Sequence, residues 1–316
     1  MGADAWTGVP SGARSAAFAL PASADHPMEY SRPMKIATFN VNGVKGRLPR
    51  LLEWLAEAQP DIACLQEVKT GDATFPAEPL RAAGYELAWH GQPRHHGVAI
   101  LARGHAPRER RRGLPGDDAD GQARYLEADV GDLRIASVYL PNGNPVPSAN
   151  FDYKLAWMAR FDAHARSLLA EGGDVVLAGD FNVVPTNADI YNAGSWRFDA
   201  VLQPQTRALW QRLMSQGWID AARHLHPTQR DLYTFWVNEE AYRRNAGFRM
   251  DFLLLSPGLL PRLRRCEVDA AHRVRDKPSD HAPTWIELGD GATRRARQAA
   301  PDSFTGSQAP KTRASS

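Results

Sequence analysis

Between residues 34 and 288, short apolar runs of strand length alternate with longer stretches of helical period. The runs MKIATFNVNG (34–43), PDIACLQEVK (60–69), GVAILAR (97–103), YLEADV (125–130), LRIASVYLPNG (133–143), GDVVLAGDFNVVP (173–185), FRMDFLLLS (248–256) and HAPTWIEL (281–288) predict strands. RLPRLLEWLAEA (47–58) sets Leu48, Leu51, Leu52 and Leu55 on one helical face. YKLAWMARFDAHARSLLA (153–170) does the same with Leu155, Met158, Phe161, Ala165 and Leu168, and TRALWQRLMSQ (206–216) predicts a third helix. Strands mixed with helices throughout predict a layered α/β body of two packed sheets with helices outside. No internal repeat, P-loop or GxGxxG phosphate cradle interrupts the pattern.

The two ends read differently. Residues 1–33 are rich in Ala, Pro, Gly and Ser, lack periodicity and are expected to be disordered. Met34 directly precedes the first strand and is a second candidate start. Residues 289–316 form a polar, basic tail, also expected to be disordered. The segments 1–33, 34–288 and 289–316 carry formal charges of −1, 0 and +3, which make up the chain's +2. A neutral body means that any basic surface for a polyanion must be local.

Composition narrows the class. The chain is 43% hydrophobic and 23% charged, ordinary values for a soluble globular protein. No apolar run approaches the roughly 18 residues that a membrane helix needs, and AAFAL (16–20) is too short for a secretory signal. No membrane contact is expected. Cys64 and Cys266 alone exclude a disulfide framework and a Cys-rich zinc site. A reducing, cytoplasmic setting and a monomeric chain are the expectation.

One feature repeats along the chain: an apolar strand runs into a polar or ionisable residue at its end. Asn40 and Asn42 follow KIATF, Glu67 follows IACLQ, Tyr139 follows RIASV, and Asp180 and Asn182 follow VVLAG. Asp251 precedes FLLLS, and Asp280–His281 precede APTW. Any one of these is ordinary turn chemistry. Six strands ending this way predict that the ends converge on one polar cleft, because buried charge is costly unless paired or metal-bound. Oxygen ligands without thiolate favour a hard cation, Mg²⁺ or Mn²⁺. Such a cleft suits phosphodiester hydrolysis: the metal neutralises phosphate charge, and a positioned acid prepares the water.

The segments FNVNG, LQEVK, HHGVAIL, YLPNG, GDFNVVPT, YTFW, RMDFLLLS and KPSDHAP together resemble the exodeoxyribonuclease III family of abasic-site endonucleases, within the endonuclease/exonuclease/phosphatase fold that includes DNase I. The motifs stand in the family's order over about 34–288. The resemblance implies a four-layer α/β sandwich, two mixed sheets flanked by helices. It implies a metal-dependent DNA-repair nuclease acting on double-stranded DNA at abasic sites or 3′ ends. At matching positions, Glu67 becomes the principal Mg²⁺ ligand, with Asn40 and Asp280 close by. Asp180 aligns or deprotonates the attacking water, and Asn182 and Tyr139 contact the phosphate. His281 donates to a phosphate oxygen and is oriented by Asp251. Which of Asp180, Tyr139 or His281 activates the nucleophile stays open.

Substrate contacts are expected from the loops. YTFWVNEEAYRRNAGFR (233–249) interleaves aromatics with Arg243, Arg244 and Arg249, a pattern suited to gripping phosphates. By resemblance, Trp236 lines the pocket for an abasic sugar. Arg94, His96 and Arg124 stand in Gly-flanked loops, and Asn142 in YLPNG; all four are candidate DNA contacts. RERRRG (108–113) reads as a solvated face. One departure is visible: many relatives carry a phenylalanine before the RH pair of AARHLHP, where this chain has Ala222. That removes one expected wall of the abasic pocket.

Overall fold

The computed structural model describes residues 33–290. The expectations of disorder for 1–33 and 289–316 therefore lie, apart from residues 33, 289 and 290, outside the described residues. Twelve strands form two six-stranded sheets. The first contains β1 (Met34–Asn40), β2 (Ile62–Gln66), β3 (Tyr85–His90), β4 (Val98–Arg103), β11 (Leu263–Val268) and β12 (Thr284–Leu288), in the order β11-β12-β1-β2-β4-β3. The second contains β5 (Arg108–Arg112), β6 (Tyr125–Val130), β7 (Leu133–Tyr139), β8 (Asp174–Asp180), β9 (Ile219–Asp220) and β10 (Asp251–Leu255), in the order β5-β6-β7-β8-β10-β9. Each sheet has one central parallel pair, β1 with β2 and β7 with β8, among antiparallel neighbours.

Strand periodicity explains the layering. In β1, Ile36 enters the core between the sheets, while Ala37 and Phe39 face the other way, against helix α1 (Val44–Ala58). Successive side chains of a strand alternate in direction, and here both faces are apolar, so both are covered. Helices α3 (Ala149–Glu171) and α4 (Pro204–Met214) cover the second sheet through Trp157, Phe161, Leu168, Trp210 and Leu213. The result is the four-layer sandwich: helix, sheet, sheet, helix. Short helices α2 (Ala77–Ala82), α5 (Ala221–Leu225) and α6 (Glu239–Arg243) complete the chain.

Three sequence expectations are revised. RERRR is not only a solvated face but the edge strand β5, fully exposed and paired to β6. On α3 the buried stripe runs through Lys154, Met158, Phe161, Ala165 and Leu168, and Leu155 is only half-buried. Ala222 packs against the inter-sheet core, as does Leu225.

A polar pin crosses the sandwich just below the strand ends. Thr38 donates to Gln66 Oε1 at 3.1 Å, and Gln66 Nε2 donates to Ser137 Oγ at 3.1 Å. Ser137 donates in turn to the Leu65 carbonyl at 3.0 Å. These buried groups satisfy one another and tie β1 and β2 to β7, fixing the relative height of the two sheets where their polar ends meet.

Candidate active site

The parallel pairs β1/β2 and β7/β8 end at the same edge of the sandwich, so Asn40, Glu67, Tyr139 and Asp180 emerge side by side. β10 runs antiparallel to β8 with Asp251 opposite Asp180, so its first residue lies at that same edge. His281 reaches it through an isolated bridge with Phe235. Three loop residues beyond these strands, Asn42 (φ 45°), Glu67 (φ 52°) and Asn182 (φ 46°), hold left-handed backbone conformations. Such conformations are unfavourable for side-chain-bearing residues and gather at functional sites.

One hydrogen-bond network joins residues from both sheets. Asn40 Nδ2 donates to Glu67 Oε1 at 2.9 Å and to Asp180 Oδ2 at 3.0 Å. Tyr139 Oη donates to Glu67 Oε1 at 2.9 Å. The Lys69 ammonium lies 2.6 Å from Glu67 Oε2 and also donates to Asn42 Oδ1 at 2.6 Å. Asn42 Nδ2 donates to Asp280 Oδ1 at 3.0 Å. Asp280 therefore joins the Glu67 group through Asn42 and Lys69. Asp180 accepts from the Asn182 backbone at 2.9 Å, and Asn142 Nδ2 donates to Asn182 Oδ1 at 3.2 Å.

Asp251 is a further carboxylate of the site. Its Oδ2 lies 2.8 Å from His281 Nδ1, while His281 Nε2 points at Asp180 Oδ2 from 3.7 Å. Burial acts to lower the His281 pKa, but Asp251 and Asp180 outweigh it and hold the imidazole well above its ordinary value. Burial pushes the Asp180 carboxyl up, helped by Asp251 and Glu67 and opposed by His281. Burial also works to raise Glu67, yet hydrogen bonds from Asn40 and Lys69 prevail and hold it below the usual carboxylate range. Tyr139 is pushed well above the ordinary phenol by burial and by the nearby Glu67 and Asp180 charges.

The donor set suits a hard cation. Glu67 remains partly accessible, with 16% of its side chain exposed; its oxygens take donors from Asn40, Tyr139 and Lys69, and two further oxygens of the group, Asn40 Oδ1 and Asp280 Oδ1, accept from Asn42. The Lys69 ammonium already rests on Glu67 Oε2, so that oxygen attracts positive charge. Among the described residues no three His, Cys, Asp or Glu side chains cluster as a closed metal cage.

The expected substrate-facing residues divide into two groups. Arg94 and Asn142 are exposed, with Asn142 tied to Asn182. Arg124 lies under Tyr139, its guanidinium 4.7 Å from the ring centroid, and donates to the Tyr139 carbonyl at 3.3 Å. The His96 ring centroid is 6.1 Å from that of Tyr139. Burial, then Arg124 and His95, pull the His96 pKa to about 4, so the ring is neutral at physiological pH.

Trp236 and Arg249 take other places than expected. Trp236 is 2% exposed, packs with Tyr233, Ala241 and Ala282, and donates from Nε1 to Asn245 Oδ1 at 3.2 Å. The cause is alternation along extended backbone. Phe235 bridges to both Phe248 and His281, which turns the next side chain away. Phe235 is thus the aromatic beside the histidine, with ring centroids 4.9 Å apart. Arg249 is also buried, paired to Asp189 at 2.8 Å and to Asp220 at 2.8 Å, so it presents no free guanidinium to a phosphate. Arg243 and Arg244 are exposed but face Glu239 and Glu240 on α6.

Sequence reasoning assigned no role to Lys69, Phe235 or Lys154. Two of them carry a signal: Phe235 sits one residue before Trp236, and Lys154 interrupts an otherwise apolar helical stripe.

Acidic and amide groups gathered at the ends of two packed sheets, with an oriented histidine, define a hydrolase of phosphate esters. The comparisons agree. Residues 37–281 match the model of the Endonuclease/Exonuclease/phosphatase family, and the chain belongs to that family. It is 34% identical over 270 residues to exodeoxyribonuclease III of Haemophilus influenzae, covering 81% of this chain and 100% of that protein. A Neisseria 3′ phosphatase solved with a product DNA hairpin is 36% identical with a TM-score of 0.78, over 81% of this chain and 100% of that one. An AP endonuclease from Archaeoglobus fulgidus is 31% identical with a TM-score of 0.77, over 81% and 99%.

Proposed function

We propose that the protein is a Mg²⁺- or Mn²⁺-dependent DNA-repair phosphodiesterase that cuts 5′ of abasic sites in duplex DNA and clears nucleotides or blocking groups from 3′ ends. The observation that carries this reading is the convergence of residues from both sheets: Asn40, Glu67, Tyr139 and Asp180 form one hydrogen-bonded group, and His281 Nε2 faces it 3.7 Å from Asp180 Oδ2. The similarity to exodeoxyribonuclease III and to structures of an AP endonuclease and a 3′ phosphatase supports DNA as the substrate.

The chain's residues divide the work. Glu67, with the oxygens of Asn40 and Asp280 nearby, would hold the ion. Bound there, it neutralises phosphate charge and the charge developing on the leaving oxygen. Asp180 accepts the proton of the attacking water. Tyr139 is unsuited to that task because its hydroxyl is held protonated and donates to Glu67. His281 is unsuited because its raised pKa keeps both ring nitrogens protonated. The charged imidazole instead donates from Nε2 to a phosphoryl oxygen, its ring aimed by Asp251 at Nδ1. Asn182 and Asn142 present amides beside Asp180.

No helix among the described residues is long and apolar enough to cross a membrane. We propose a monomer acting in the cytoplasm. The test is cleavage of one labelled duplex carrying an abasic site, beside an undamaged duplex and a 3′-phosphate end, with Mg²⁺ and with EDTA. Incision or 3′ clearing that EDTA abolishes is expected. Absence of cleavage on all three substrates in Mg²⁺ would overturn the reading.

A further inference from the structure

Helix α3 turns one stripe toward the second sheet: Phe151, Lys154, Met158, Phe161, Ala165 and Leu168 are all buried. Lysine is the outlier. It is completely buried, an expensive place for an ammonium unless every N–H finds an acceptor. An ammonium has three donors, and here they meet three backbone carbonyls: Pro141 at 3.0 Å, Asn142 at 3.1 Å and Asn182 at 2.6 Å. All three acceptors are backbone carbonyls and none is a carboxylate. Burial draws the Lys154 pKa down to about 7, with the Asp180 and Asp199 charges resisting.

Those carbonyls belong to two loops that leave the parallel strands β7 and β8 side by side. One carries Asn142, the other Asn182, and the two amides are themselves bonded at 3.2 Å. Asn182 holds a left-handed conformation and gives its backbone N–H to Asp180 at 2.9 Å. The lysine stem crosses Gly143, which has a φ of 90°. A methyl group added there would lie 2.5 Å from Lys154 Cδ. The loop is thus shaped around the lysine as much as the lysine is placed by the loop.

We propose that Lys154 is a positioning residue for phosphodiester cleavage: its ammonium clamps the 140–143 and 180–183 loops together and so holds Asn142, Asn182 and Asp180 in register for attack on phosphorus. It touches neither substrate nor reacting atoms. It therefore acts on the turnover step rather than on DNA affinity, since small displacements of reacting groups reduce rate strongly. This rests on the nuclease reading given above.

The test uses Lys154→Met and Gly143→Ala in the full chain, assayed well below the melting temperature of each variant. Lys154→Met is expected to lower kcat by about 30-fold or more with KM within about threefold of the parent. Gly143→Ala, which presses a methyl against the same stem, is expected to give the same split. A folded Lys154→Met with kcat within about threefold of the parent, or a loss confined to KM, overturns the proposal. If Lys154→Met does not fold, Gly143→Ala decides by the same criteria. Amide order parameters over 140–143 and 180–183 give a readout independent of activity: they fall in the variant if the clamp exists and stay unchanged if it does not. A parent protein that cleaves no DNA refutes the nuclease reading, while a parent that cleaves no better than Lys154→Met refutes only the clamp.

Discussion

Asp251 holds His281: carboxylate Oδ2 and imidazole Nδ1 are 2.8 Å apart, both side chains are buried, and they come from residues 30 positions apart in the chain. The pairing fixes the direction of the other ring nitrogen, which faces Asp180. It also fixes the charge, because Asp251 and Asp180 raise the imidazole pKa despite its burial.

Removing the Asp251 charge should lower that pKa. Asp251→Asn is expected to reduce kcat by about 100-fold or more, as loss of an orienting partner does in comparable base–orienter pairs. It should also move the alkaline limb of the rate profile to lower pH, since a less stabilised imidazolium loses its proton sooner. The linked stability has the same sign: a raised folded pKa stabilises fully below the unfolded value near 6.5 and loses that contribution as pH rises through the folded value. kcat/KM measured against pH for both proteins checks this, and an unmoved alkaline limb would contradict it.

Arg249 should be a stability residue. It sits between Asp189 and Asp220, with Arg223 also on Asp189 at 2.7 Å. Arg249→Ala leaves buried carboxylates short of a partner and is expected to cost about 3–5 kcal/mol, read by urea denaturation. The salt dependence of DNA binding should stay unchanged, since no phosphate contact is lost. A shallower salt slope with parental stability would restore Arg249 to the DNA interface. Burial works to raise the Asp189 carboxyl, but Arg249, Thr186 and Arg223 hold it below the ordinary range. Its contribution is therefore present at neutral pH and above the unfolded value, and disappears as pH falls through the folded value.

Neighbouring aromatics should behave differently. Phe235 lies against His281 and Trp236 lies in a small core. Trp236→Ala is expected to cost about 3–5 kcal/mol of stability, as loss of a buried tryptophan does, with kcat nearly unchanged in the folded fraction. Phe235→Ala should alter kcat or KM on abasic DNA with a smaller stability loss. Melting curves and steady-state rates on the same preparations separate them, and the reverse pattern would exchange their roles.

Much of the site was legible because strand ends carry local signals. Asn40, Glu67, Tyr139 and Asp180 each end an apolar run, and sequence alone sufficed to expect their convergence. What failed depends on partners distant in sequence. Whether Phe235 or Trp236 faces the cleft is a matter of parity, set by pairing with Phe248 and His281. Arg249 looks like a free basic residue until Asp189 and Asp220 close around it. Lys154 interrupts a helical stripe, but its three carbonyl partners lie on loops that only the β7/β8 pairing brings together. Strands β3, β5 and β11 went unread because they lie toward the sheet edges, where exposed positions dilute the apolar pattern.

The proposal that this strand-end cleft hydrolyses DNA is tested most directly by Asp180→Asn, measured as single-turnover cleavage of an abasic duplex in Mg²⁺ alongside binding of the same duplex. The substitution nearly preserves shape and removes only the proton acceptor. Binding within a few-fold of the parent, with cleavage reduced by several orders of magnitude, is the result expected. Cleavage at near-parental rate would contradict it and move the chemistry away from Asp180.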